Sequence, residues 1–96
     1  MIQQATITTE SAESIKPLVE SAIRGELKTL MFGIQRTRER LAAFEKQFGM
    51  TCEEFERRFN GVDLKETLDF IEWSGEFKTL HLLEDRRNAL QNAEIR

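Results

Sequence analysis

Ninety-six residues fit one domain, and a lone chain of that size buries only about two-thirds of the surface its unfolded form exposes. Charged residues make up 32% of the chain and glycine plus proline only six positions, which favours helix over sheet. A net charge of −3 argues against a strongly basic nucleic-acid binder, one cysteine rules out an internal disulfide, and no apolar run reaches the ~20 residues of a membrane span.

The opening ten residues, MIQQATITTE, alternate Ile2, Ala5 and Ile7 with Gln and Thr, the pattern of a short strand or an extended arm. They lack the basic region and apolar core of a signal peptide, so with the lone cysteine the expected compartment is the cytoplasm. The chain then divides into an arm at 1–10 and a helical domain at 11–96.

A helix is expected from residue 11–15, capped by Ser11 or Ser14, with Pro17 tolerated in a first turn whose amides have no helical partner. It should run to Phe48. Ile23, Leu27, Leu30, Ile34, Leu41, Phe44 and Phe48 fall at alternating steps of three and four, with Thr37 the single polar interruption. That heptad spacing makes one narrow apolar seam, which requires a facing helix. The seam is expected to lie at the centre of a homodimer.

Gly49 occupies the position of a left-handed helix stop. Thr51-Cys52-Glu53-Glu54 reads as a capping box for a short helix with Phe55 and Phe59 one turn apart, closed by Asn60-Gly61. Asp63-Leu64-Lys65-Glu66 reads as a second capping box, opening a last helix from about Lys65 to Ala93. Its apolar residues from Leu68 to Leu83 cover more than one face, which predicts burial from two sides.

Chemistry-bearing residues are sparse. Cys52 would sit in a first turn that favours a thiolate, but Glu53 and Glu54 oppose it. His81 with Glu84 and Asp85 gives too few ligands for a structural zinc site, and the same spacing is an ordinary helical charge pair. Glu72 and Glu76 flank Trp73 without a nucleophile or an oxyanion donor nearby in sequence. Neither an enzyme, a metal nor a cofactor is indicated. Arg36, Arg38 and Arg40, with Arg57-Arg58 and Arg86-Arg87, lack the strongly basic, aromatic-interleaved character of a nucleic-acid surface. One alternative is a ribbon-helix-helix DNA-binding regulator, whose N-terminal strand would present Gln4, Thr6 and Thr8. That fold needs two short helices, and the seam runs past Gly25 with no turn signal.

Charge is unevenly placed. Between Glu53 and Glu76 eight acidic residues stand against three basic ones, whereas Arg24 to Arg40 is basic. The two regions could pair antiparallel or steer a partner. The last helix begins with Glu66, Asp69, Phe70, Glu72, Trp73, Glu76 and Phe77, acidic groups interleaved with rings. These seven residues are the expected partner-binding set, with core packing the competing role for the rings.

The segments IKPLVESAIRGELKTL, RTRERLAAFEKQFGMTCEEFERRF and LKETLDFIEWSGEFKTLHLLEDRRNAL, over about residues 14–92, resemble a family of small helical proteins of bacteria and archaea, common in cyanobacteria. The resemblance rests on the corner from Phe44 to Met50, the turn of helix at Glu53 to Phe55, and the Asp69 to Trp73 opening of the last helix. Members of that family are often encoded beside a small toxin-like protein of the TumE type. The resemblance therefore implies an antitoxin and carries no catalytic residues with it. The expected fold is all-α: a long helix, a short connecting helix, and a second long helix packed back antiparallel, two such hairpins forming a coiled-coil-like bundle. The expected partners are a second copy of the chain and a neighbour-encoded protein.

Overall fold

The computed structural model describes residues 12–61 and 63–93. Over these the chain is helical: α1 (Ala12–Phe48), α2 (Cys52–Asn60) and α3 (Leu68–Asn92), with α1 packed along α3 and α2 laid against α3 near the closed end of the hairpin. The result is a rod of 61 × 24 × 20 Å. The expected arm at 1–10, and with it Gln4, Thr6 and Thr8, lies outside the described residues.

Helix α1 runs unbroken through Gly25 and Gly33, unlike the two short helices of a ribbon-helix-helix protein. Because it starts at Ala12, Ser14 is inside the helix and cannot cap it. Pro17 likewise lies beyond the first turn, so its missing N–H deprives the carbonyl of Glu13 of the usual helical donor. The stop at the other end is as expected. Gly49 has φ +68° while its N–H still reaches the carbonyl of Glu45 at 2.8 Å. A side chain at Gly49 would meet no neighbour within 4 Å, so the backbone conformation alone demands glycine. Gly49→Val is expected to cost about 1 kcal/mol or more, read as a lowered midpoint in thermal melts. Coincident melts would show that the corner does not need its left-handed residue.

Thr51 caps α2, its hydroxyl accepting the N–H of Glu54 at 3.0 Å. A second cap comes from α1: the Glu45 carboxylate accepts the N–H of Cys52 at 2.7 Å. A negative group at a helix N-terminus is favoured by the exposed amides there. The start of α3 corrects the sequence reading. Its cap is Thr67, accepting the N–H of Phe70 at 3.1 Å, rather than Asp63. Asp63 instead closes α2: its N–H donates to the carbonyl of Arg58 at 2.9 Å, and its carboxylate lies 3.7 Å from the Arg58 guanidinium.

The seam is consumed inside the chain. Leu30, Ile34, Thr37 and Leu41 are buried within a single copy, and Phe44 and Phe48 are half-buried in the core beneath α3. Of the seven residues assigned to a dimer interface, these five apolar ones already have a facing helix, α3. Ile23 and Leu27 are half-buried. The facing positions on α3 are Phe70, Trp73, Phe77 and Leu80, again at heptad steps. Trp73 is 0% exposed and lies flat between two rings, with Phe55 at 4.0 Å and 1° and Phe44 at 5.4 Å and 7°. Such stacked pairs add about 0.5–1.5 kcal/mol each beyond their buried area. Two ion pairs cross between the long helices, Arg38 to Glu84 at 2.6 Å and Arg40 to Glu76 at 3.5 Å. Arg40 and Glu76 thus join the basic stretch 24–40 to the acidic stretch 53–76 at one point, whereas Glu84 lies beyond the acidic stretch.

Two-sided burial of α3 does not occur. Only one of its faces is covered, and Leu68, Ile71 and Leu82 point outward, exposed. Among the described residues no helix is long and apolar enough to cross a membrane.

Candidate functional site

The seven residues expected to bind a partner separate into two groups. Trp73 and Phe77 are buried, and Phe70 is half-buried against Phe48, Phe55 and Phe59. These rings are core and cannot anchor a partner without opening the hairpin. Glu76 is half-buried and engaged by Arg40. Glu66, Asp69 and Glu72 are exposed, and among the described residues no ion pair holds them.

Sequence reasoning missed what lies beside them. Thr67 fixes the first turn of α3, and that turn presents Leu68, 85% exposed, at its very start. Ile71, 47% exposed, follows three residues on, and Gly75 four after that. A side chain at Gly75 would meet nothing within 4 Å, so the outward face has room for close approach. Leu82, one further heptad along, extends the stripe. The arrangement is an exposed apolar ridge with Glu66, Asp69 and Glu72 around its first two turns. Their carboxylates also sit well with the amides at the N-terminus of α3. The signal was present in the sequence: Leu68 and Ile71 fall off the Phe70–Trp73–Phe77–Leu80 heptad and belong to the opposite side of the helix.

The other chemistry-bearing residues are accounted for locally. His81 lies with its ring 4.7 Å from that of Phe77, and Glu84, its supposed co-ligand, is taken by Arg38. Among the described residues no group of three or more His, Cys, Asp or Glu is placed to hold a metal ion. Arg38 and Arg40 are spent on α3, and Arg58 lies near Glu54 and Asp63. A shallow groove of about 270 Å³ between the helices is lined by Leu41, Glu45, Cys52, Phe77 and Leu80 among others.

Cys52, at the floor of that groove, is buried and accepts the indole N–H of Trp73 at 3.3 Å. Burial pushes its thiol up to about 11; the Trp73 hydrogen bond opposes the rise, and the nearby Glu45 and Glu53 carboxylates add to it. It is therefore held as a neutral thiol at neutral pH, the reverse of an activated nucleophile. The unfolded thiol ionises near 9.0. The stability this group contributes is thus fully present below pH 9 and falls as pH rises through about 11, by on the order of 2 kcal/mol. In urea melts the advantage of wild type over Cys52→Ala is expected to shrink across that range. A pH-independent difference would mean that the thiol titrates alike in both states.

Comparison with known proteins finds no match to this chain among protein families, curated proteins or solved structures.

Proposed function

We propose that this chain is a protein–protein interaction module that acts as an antitoxin, neutralising a toxin-like protein encoded beside it by covering that protein's surface. The observation that carries the interaction reading is the outward ridge of α3. Leu68 and Ile71 stand exposed with Glu66, Asp69 and Glu72 beside them, and among the described residues none covers them. Exposed apolar side chains grouped on one face and rimmed by charge mark binding surfaces. The antitoxin reading adds the family resemblance of the corner and the Asp69–Trp73 segment, which brings with it a neighbouring toxin-like gene.

The mechanism is steric. The apolar ridge supplies contact area, the acidic rim draws in a basic surface, and no covalent chemistry is needed. Co-expression tests it. The tagged chain is expected to co-purify with the product of the adjacent gene and to relieve any growth arrest that product causes when expressed alone. Separate elution of the two proteins, with growth arrest unrelieved, would overturn the antitoxin reading.

A further inference from the structure

Helix α1 is twelve residues longer than α3. The two run antiparallel, with Phe48 against Phe70, Phe44 against Trp73, Arg40 against Glu76, and Gly33 against Leu83. Continued residue for residue, that register brings Asn92, the last residue of α3, level with about Arg24. The first twelve residues of α1, about 18 Å of helix, therefore project beyond the end of α3.

This projection is amphipathic in its own right. Ile15, Leu18, Val19, Ala22 and Ile23 stand at i, i+3, i+4, i+7 and i+8, one continuous face, while Lys16, Glu20 and Arg24 take the other side. Leu18 is 64% and Val19 37% exposed, Ala22 is exposed, and Ile15 and Ile23 are only half-buried. The projection extends a helix already nucleated and held against α3, so each added residue gains its backbone hydrogen bond, but its apolar face still meets water. Tertiary contact on the apolar face would stabilise it.

The geometry points to a second copy of this chain as the occupant: two projections packed antiparallel about a two-fold axis at Val19. A two-fold interface must be self-complementary, and this face is. Turned about Val19, Ile15 of one copy meets Ile23 of the other, Leu18 comes beside Ala22, and Val19 meets itself. At the rim Lys16 of each copy comes beside Glu20 of the other, so opposite charges face each other twice. An antiparallel pairing also sends the two hairpin bodies away in opposite directions and leaves the outward ridge of α3 free in both. With five apolar side chains from each copy, the contact falls short of the ~800 Å² per partner of a stable complex, so association belongs in the micromolar range. The inference stands on α1 alone and is independent of the antitoxin reading.

Sedimentation equilibrium of the full chain at about 100 μM is expected to give the mass of two chains, falling to one on dilution. Val19→Asp is expected to give one chain at every concentration while keeping the wild-type urea midpoint, because the buried core lies elsewhere. Glu20→Lys should weaken the dimer about threefold to tenfold, and adding Lys16→Glu should restore it. Under mild oxidation Val19→Cys is expected to form a disulfide-linked dimer quickly and Arg24→Cys slowly, since Arg24 lies on the opposite face. A single-chain mass for the wild type at that concentration would overturn the proposal. So would a Val19→Asp variant that still dimerises, or equal cross-linking of the two cysteine variants.

Discussion

Replacing Trp73 with alanine is expected to cost about 3–5 kcal/mol, a large share of the 5–15 kcal/mol that holds a typical domain together. Three losses combine. The side chain is completely buried, so its removal leaves a cavity at the centre of the hairpin. Its ring separates Phe44 from Phe55, and both stacks vanish with it. Its N–H is the donor to Cys52, whose sulfur would lose its partner. The core is small and concentrated at the closed end, where α1, α2 and α3 meet, and it has no second layer to absorb the defect. Urea titration followed by helical circular dichroism should show either a sharply lowered midpoint or loss of helix without denaturant. Leu68→Ala serves as the counterpart: the side chain is 85% exposed, and its removal should leave the midpoint within about 0.5 kcal/mol of wild type. A Trp73→Ala protein as stable as wild type would mean that the aromatic stack is not the core.

Helix α1, its stop and the cap of α2 were legible in the sequence because each rests on local chemistry. Heptad spacing fixes a helical seam, Gly49 supplies a positive φ, and Thr51 accepts an amide three residues on. The partner of the seam was not legible. Spacing of three and four says that a helix packs there, but not whether that helix belongs to the same chain; in the structure α3 closes Leu30 to Phe48 without a second copy. The start of α3 was ambiguous for a similar reason. Asp63 and Thr67 are both good caps; in the structure Asp63 is held at the end of α2, its N–H on the Arg58 carbonyl and its carboxylate near the Arg58 guanidinium, and Thr67 caps α3.

The candidate site was legible in part. The acidic residues Glu66, Asp69 and Glu72 are outward as expected. The rings beside them were harder, because α3 carries apolar side chains on more than one face and composition cannot say which is inside. The cross-helix contacts of Trp73 with Phe44 and Phe48 decide it, and they are long-range. Once Phe70, Trp73 and Phe77 are inside, Leu68 and Ile71 must be outside, since they sit across the helix from them. The exposed apolar face of α3 is therefore built from different residues than those the ring-rich pattern suggested.

Reversing Glu66, Asp69 and Glu72 together to Lys is expected to leave the fold intact and to disable recognition. Exposed charges outside ion pairs contribute little to folding, so helicity should stay near wild type; the lost carboxylate at the N-terminus of α3 should lower the urea midpoint only slightly, by about 1 kcal/mol of stability. Glu76 is left unchanged because it is engaged with Arg40 across the hairpin. Three reversals change the local charge by six, turning attraction for a basic surface into repulsion. At low ionic strength that should slow association with the neighbour-encoded protein by about tenfold or more. The effect should fade as added salt shortens the screening length. Ile71→Asp, which places a charge on the apolar ridge itself, should instead act mainly on dissociation.

The measurement that bears most directly on the outward face of α3 as a binding surface is stopped-flow association of the neighbour-encoded protein with wild type and with the three-Lys variant, across a salt series. A wild-type rate that falls steeply with salt, beside a slow rate that rises toward it with salt for a variant that remains fully helical, is the predicted result. Equal rates and equal salt dependence for the two folded proteins would contradict it, and would leave Glu66, Asp69 and Glu72 as solubilising charges only.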